Sequence, residues 1–269
     1  TRGMGNFFAR LQSENRYYGQ GAPEFLRTHP VTTSRIAEAE DRARQYPLQL
    51  RDNSIHYLLV KARLRLLQAD SVEQLQQELA AEAPAGAQEQ EAHRYLQALV
   101  LRKKGDTDAA HDTLTGLLEK YPGRIAYLHE LAELETSRDR LERAGELYRR
   151  GLELYPGNEA LTLAYADNLM LSGKHDEARK RLEQLLRDRP LSSEGYRLLA
   201  KLESDSGNHA ASYLAQAEHY YLRGEPHSAI DQLNTAKRLN PLPHYYATRI
   251  EARLEQLKDE LERHRAEKP

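Results

Sequence analysis

The chain has no cysteine and no tryptophan among its 269 residues, and it contains no long apolar run. Without cysteine it can form neither a disulfide framework nor a thiolate metal site. No segment approaches the roughly 18 consecutive apolar residues of a transmembrane helix, so membrane insertion is not expected. Its 39 basic and 41 acidic side chains nearly cancel, which gives no electrostatic reason to expect nucleic-acid binding.

The sequence contains an internal repeat of 34 residues. Pro122, Pro156 and Pro190 stand 34 residues apart, and each closes a near-copy of one pattern. In every copy a small residue lies 24 positions before the proline, another lies 12 before it, and a large residue lies eight before it. The small residues are Ala98, Ala132 and Ala166, then Ala110, Ala144 and Ala178, and the large ones are Leu114, Tyr148 and Leu182.

The period and the small-residue positions resemble the tetratricopeptide repeat (TPR), a pair of antiparallel helices. Small residues allow the two helices to approach closely, the large residue packs against the next repeat, and the proline ends the second helix. The sequence therefore predicts an all-α fold, a TPR α-solenoid, with helix pairs at 91–122, 125–156 and 159–190. The charged fraction of 30% and the mean hydropathy of −0.80 are typical of such a thin array of helices.

The repeat is interrupted near its C-terminal end. The next closing proline, Pro241, lies 51 residues after Pro190, which is one and a half periods. This spacing predicts one extra helix at about 192–206, followed by a helix at 209–222 that closes one unit and opens the next. A long apolar stripe then predicts a capping helix at 244–265, which a solenoid needs at its end.

The first part of the chain does not fit the repeat. We therefore divide the sequence into residues 1–47, a helical tail, and residues 48–269, the solenoid with its cap. At the start of the solenoid, the pattern predicts a degenerate repeat whose first helix covers 53–67 and whose second is capped by Ser71.

The N-terminal tail carries a second and more specific resemblance. Residues 3–11 read Gly-Met-Gly-Asn-Phe-Phe-Ala-Arg-Leu, and residues 25–30 read Phe-Leu-Arg-Thr-His-Pro. These motifs resemble the end of the catalytic domain in zinc metalloproteases of the HExxH, glutamate-liganded type. The whole chain is similar to the C-terminal half of the BepA-like family, periplasmic proteases and chaperones of outer-membrane protein assembly that carry a TPR domain.

The resemblance implies a periplasmic location and protein partners, either the outer-membrane β-barrel assembly machinery or its unfolded clients. It also implies that a parent protease would hold zinc. This chain, however, contains no His-Glu-x-x-His sequence, and zinc hydrolysis needs two such histidines, a third ligand and a carboxylate base. We expect the chain as given to be no enzyme and to hold no metal or cofactor. Since it begins at Thr1 rather than with methionine, we expect a fragment.

His29, in the Thr-His-Pro loop, is the residue with the sharpest individual hypothesis. The resemblance implies that this histidine can approach the zinc of the parent protease and hold the protease inactive. The alternative is that His29 simply packs beside Pro30 and the following helix. Without a catalytic domain, the second interpretation is favoured.

The remaining candidate residues line the concave face that the first helix of each TPR presents. Positions 2, 5, 9 and 12 of those helices are expected to be exposed to a partner. The candidates are Tyr95, Leu99, Arg102, His129, Glu133, Asp167, Met170, Arg197, Lys201 and Tyr221. The Lys and Asn pair that clamps C-terminal carboxylates in some TPR proteins is missing, so a peptide-tail clamp is not expected.

Two classes of function remain open. The first is a protein-interaction module that docks assembly machinery or clients onto a protease. The alternative is a free-standing TPR scaffold or chaperone adaptor with no enzymatic parent, and a cytosolic TPR adaptor is a weaker form of it. The segment from Met4 to Ile36 favours the first class, because a free scaffold has no use for a protease tail.

Overall fold

The structure, a computed structural model, describes residues 53–266 and three earlier positions, 37, 41 and 42. The described residues form twelve helices and no strand, as the all-α prediction requires. The tail predicted for residues 1–47, including His29, lies outside the described residues apart from those three positions. Among the described residues, no helix combines the length and the apolarity needed to cross a bilayer.

The helices follow one another with short turns. They are α1 (Ile55–Leu67), α2 (Val72–Ala81), α3 (Ala87–Lys104), α4 (Thr107–Lys120), α5 (Ile125–Ser137), α6 (Leu141–Leu154), α7 (Glu159–Leu171), α8 (His175–Asp188), α9 (Ser193–Asp205), α10 (His209–Leu222), α11 (Pro226–Lys237) and α12 (His244–Ala266). The three predicted pairs are α3 with α4, α5 with α6, and α7 with α8, and each pair packs together. The solenoid prediction is therefore confirmed over these repeats.

The small residues lie where two helices approach each other, as the repeat pattern predicts. Ala98, Ala132 and Ala166 on the first helices are 0% exposed, and so are their counterparts Ala110, Ala144 and Ala178 on the second helices. The large residues Leu114, Tyr148 and Leu182 are at most 1% exposed. Burial of these side chains supplies the main stabilisation of each pair.

Glycine is required at two kinds of place. Gly173 ends α7 with a φ of 70°, a left-handed conformation that costs little without a Cβ. Gly151 lies where α6 meets α7, and a Cβ there would stand 2.8 Å from a methyl carbon of Leu161. Gly173 therefore permits the turn after α7, and Gly151 permits the close packing of α6 on α7.

The predicted start of the solenoid is also present. Ser71 caps α2 by accepting a hydrogen bond of 3.3 Å from the backbone N–H of Gln74. Both α1 and α2 pack against α3, and Ala62 on α1 is 4% exposed at the expected small-residue position.

The interruption predicted near the C-terminal end is confirmed as well. Helix α9 follows α7 in the row of first helices, since α5 packs on α7 and α7 packs on α9. Helix α10 then packs on both α9 and α11, so two units share it. The capping helix α12 packs against α11 and α10. The row of first helices is therefore broken after α9, and the apolar core is divided between a cluster that ends at Leu202 and one that begins at Ala217.

Candidate protein-interaction surface

The predicted surface residues separate into buried and accessible groups. Tyr95, Leu99 and Met170 are only 0%, 5% and 6% exposed, so the expectation that they line an open groove is wrong. The ring of Tyr95 packs on the ring of Tyr127 in the next repeat, with centroids 5.4 Å apart. Leu99 and Met170 likewise belong to the apolar core rather than to an open surface.

The other predicted residues reach the surface, and we call them the inner-face residues. They are Arg102, His129, Glu133, Asp167 and Tyr221, which are half-buried, and Arg197 and Lys201, which are exposed. Lys201 on α9 donates a hydrogen bond of 3.0 Å to Asp167 on α7, and Arg197 pairs with Glu194 on its own helix at 2.6 Å. The accessible part of the row is thus largely charged, and its ion pairs form both between helices and within one helix.

A buried carboxylate that the sequence interpretation missed joins the first three helices of the row. Glu130 on α5 is 2% exposed. It pairs with Arg63 on α1 at 2.7 Å and with Arg102 on α3 at 2.6 Å. The hydroxyl of Tyr95 lies 3.4 Å from the same carboxylate. Because a buried charge is stable only when it is paired and hydrogen-bonded, these contacts fix the relative positions of α1, α3 and α5.

A second buried carboxylate joins α3 to α5. Glu91 on α3 is 4% exposed and accepts hydrogen bonds of 2.7 Å from Tyr127 and 3.0 Å from Arg124. Burial and the hydrogen bond to Glu91 raise the pKa of Tyr127 and outweigh Arg124, which lowers it. In both cases the donors come from other repeats, so the polar contacts hold the repeats in register as well as satisfying the carboxylates.

His129 stands at the accessible edge of this network. Its neighbour Glu133 accepts a hydrogen bond of 2.7 Å from the hydroxyl of Tyr148, and the His129 and Tyr148 rings meet edge to face at 6.3 Å. The Nδ1 atom of His129 is buried without a hydrogen-bond partner. Burial lowers the pKa of His129 and outweighs Glu130 and Glu133, which raise it.

We expect this histidine to make the fold sensitive to acid. A histidine whose pKa is lowered by folding contributes stability that is present above its unfolded pKa of about 6.5 and is lost as the pH falls. The variant His129→Gln should therefore lose less stability than the wild type between pH 8 and pH 5. The measurement is the urea midpoint at each pH.

The matched control for that experiment is His209→Gln, because His209 is exposed on α10. The control should keep the wild-type slope of stability against pH. If stability changes with pH by the same amount in the wild type and in His129→Gln, burial of His129 does not make the fold sensitive to acid.

Tyr221 is held more firmly than a flexible contact residue. Its hydroxyl donates a hydrogen bond of 2.9 Å to Glu260, and the guanidinium of Arg253 lies 4.5 Å from its ring centroid. Arg253 in turn donates two hydrogen bonds of 2.7 Å to Glu218. Tyr221 therefore joins α10 to the capping helix and presents a fixed ring edge to solvent.

The described residues offer no cluster of three or more His, Asp or Glu side chains arranged to hold a metal ion. His29 lies outside the described residues, so its geometry does not enter the site. What this part of the chain provides is a row of charged and aromatic side chains on stacked helices.

Comparison with known protein families identifies tetratricopeptide repeats in this chain. Two tetratricopeptide repeat models match the chain, one over residues 95–159 and the other over residues 135–202. The central repeats are therefore TPR units, and the chain contains a protein-interaction module of that type.

Two curated relatives extend the match to nearly the whole chain. The beta-barrel assembly-enhancing protease of Escherichia coli (strain K12) is 30% identical over 261 residues, which cover 97% of this chain and 53% of that protein. The putative beta-barrel assembly-enhancing protease of Vibrio cholerae serotype O1 is 31% identical over 262 residues, covering 97% and 54%. The chain is homologous to the C-terminal part of these proteins and spans about half their length.

Solved structures similar to this one are helical repeat proteins. A tetratricopeptide repeat protein from Parabacteroides merdae has a TM-score of 0.49 at 18% identity, covering 78% of this chain and 88% of that one. A crystal structure of MamA has a TM-score of 0.46 at 15% identity, covering 61% and 95%.

Proposed function

We propose that this chain is the protein-interaction part of a periplasmic protease and chaperone that acts in outer-membrane protein assembly. In this proposal the inner-face residues contact the β-barrel assembly machinery or its unfolded clients. The observation that carries the proposal is the homology over 97% of the chain to proteins named for enhancing β-barrel assembly. The accessible charges on α7 and α9 support it, because they are presented on a rigid row of helices.

A protein partner also suits the surface better than a metabolite does. The inner-face residues lie on several successive helices, and an extended or partly folded polypeptide can span that distance. Alternating acidic and basic side chains give such a polypeptide specificity and orientation. We expect a few aromatic and arginine contacts to dominate the affinity, with most charged neighbours contributing little.

The same proposal assigns the catalytic chemistry to the parent protein and not to this chain. Zinc would be bound by the protease domain of that parent, and His29 would act there as the residue that blocks the zinc site. A coding sequence upstream of Thr1 that contains the HExxH motif would support this part of the proposal. The alternative, a free-standing TPR scaffold or chaperone adaptor, requires that no such motif is encoded there.

Site-specific photocrosslinking tests the location of the surface. We expect photoreactive residues at Asp167, Arg197 and Lys201 to capture the purified β-barrel assembly machinery or a urea-denatured outer-membrane β-barrel protein. Tyr95 and Met170 are unsuitable probe positions because they are buried.

The matched control positions are Glu119 on α4 and Glu153 on α6, which are exposed on second helices. They should give little crosslinking to either protein. Capture of both proteins from the control positions, with none from Asp167, Arg197 and Lys201, would show that the inner-face residues are not the binding surface.

A further inference from the structure

A cavity of about 260 Å³ opens at the break in the row of first helices. Leu199 on α9 and Leu214 on α10 give it an apolar lining. Tyr196 on α9 and the adjacent pair Tyr245 and Tyr246 on α12 add three aromatic rings.

The cavity follows from the half-repeat. Within the regular part of the stack, α5, α7 and α9 pack on one another in a row. After α9 the shared helix α10 takes the next place, and the capping helix packs on α11 and α10 instead. A space beside α9 and α10 is therefore left open, and residues of α8, α9, α10 and α12 line it.

Two tyrosines of this cavity differ from the paired tyrosines elsewhere in the stack. The hydroxyls of Tyr127, Tyr148 and Tyr221 each donate to a glutamate at 2.7 to 2.9 Å. Tyr196 and Tyr246 are half-buried in the cavity wall, yet their hydroxyls have no hydrogen-bond partner among the described residues. Two hydroxyl groups beside an apolar lining are thus available to a ligand.

The charges around the cavity are partly neutralised within the protein. Glu203 is bound by Arg179 and Asn208 at 2.6 and 2.7 Å, and Glu218 is bound by Arg253. Glu183 on α8 has no partner among the described residues. Arg249 on α12 contacts the ring and hydroxyl of Tyr245 but no carboxylate. One acidic and one basic side chain therefore remain for a ligand, and they come from different walls of the cavity.

We propose that this cavity receives one aromatic side chain of an extended polypeptide that carries a basic residue on one side of it and an acidic residue on the other. This inference rests on the proposed function and names the kind of segment that the module recognises. Glu183 meets the basic residue and Arg249 meets the acidic one. The hydroxyls of Tyr196 and Tyr246 bond the peptide backbone of the inserted segment.

An aromatic side chain fits this site better than the other candidates. The cavity lies below the roughly 300–1,000 Å³ of pockets that hold small molecules, so it suits a single side chain. Aromatic rings gain from edge-to-face or offset contact with other rings beyond the burial of their area, and three tyrosines are present. Arg249 adds a cation that can lie against an inserted ring.

The test uses short peptides of defined sequence. The probe is an acetylated and amidated pentapeptide, Lys-Ala-Phe-Ala-Glu, with 4-fluorophenylalanine at its centre, followed by fluorine NMR. We expect saturable binding to the full chain. A non-fluorinated peptide should displace the probe, and the same peptide with alanine at the centre should do so at least tenfold less effectively.

Two test variants and one control variant locate the binding. Ala211→Phe fills the cavity from α10 and should weaken binding of the probe at least tenfold, whereas Ala160→Phe, at an exposed position on α7, should leave it unchanged. Glu183→Ala removes an exposed side chain, with little risk to folding, and should weaken binding several-fold. Wild-type affinity in both Ala211→Phe and Glu183→Ala would overturn the proposal.

Failure here can be told apart from failure of the proposed function. If the inner-face residues crosslink to the assembly machinery or a denatured client while the wild-type chain shows no saturable binding of the probe, the cavity proposal is overturned and the proposed function stands. If the probe binds and Ala211→Phe abolishes that binding, the cavity proposal holds whichever protein is captured at the inner face.

Discussion

Replacing both Arg63 and Arg102 with alanine is expected to lower the free energy of unfolding by about 3 kcal/mol, near the lower end of the cost of leaving a buried charge without its partner. The two arginines are the cations that pair with Glu130, whose side chain is 3% exposed. Without them, the hydroxyl of Tyr95 is the one remaining hydrogen-bond partner of the carboxylate among the described residues. The cost lies at the lower end because both arginines are partly exposed. When they are removed, water can reach the carboxylate of Glu130 and solvate it.

Urea denaturation of three variants measures this effect. The double variant should be destabilised strongly, and addition of Glu130→Gln to it should restore much of the lost stability by removing the buried charge. The matched control is Lys201→Ala, because the pair of Lys201 and Asp167 is 47% and 45% exposed and such surface pairs contribute at most about 1 kcal/mol. If the double variant loses no more than the control, Glu130 does not hold the helices together.

The architecture could be predicted from sequence because its signals are local and repeat. Pro122, Pro156 and Pro190 set the period, and the alanines at fixed positions set the register of each pair. The shared helix α10 was predictable for the same reason, because Pro190 and Pro241 are one and a half periods apart in the sequence. Each of these signals depends on backbone conformation or on helix contact within one repeat.

The details of the surface could not be predicted in the same way. Tyr95 and Met170 occupy positions that the register assigns to the concave face, yet the packing of the neighbouring repeats buries them. The burial of Glu130 depends on three helices at once, which no single-repeat pattern contains. A weaker signal did exist, because Lys201 and Asp167 lie 34 residues apart, one full period. Opposite charges one period apart are candidates for contacts between repeats.

The buried network also bears on binding. Paired carboxylates such as Glu130 and Glu91 fix the positions of successive first helices, so the side chains on their accessible edge are already arranged before a partner arrives. A pre-arranged surface loses less conformational entropy on binding than a flexible one. Arg197 is the inner-face residue best placed to contribute, since it is an exposed arginine on α9 whose only ion pair among the described residues is within its own helix.

The affinity of the chain for the purified β-barrel assembly machinery, measured for the wild type and for two arginine variants, tests the central claim most directly. Arg197→Ala should weaken binding roughly 5- to 100-fold, which corresponds to the loss of about 1–3 kcal/mol for an interfacial arginine. Arg187→Ala, an exposed position on the second helix α8, should leave the affinity unchanged. Equal affinities for the wild type and Arg197→Ala, with a loss in Arg187→Ala, would contradict the assignment of the binding surface to the inner-face residues.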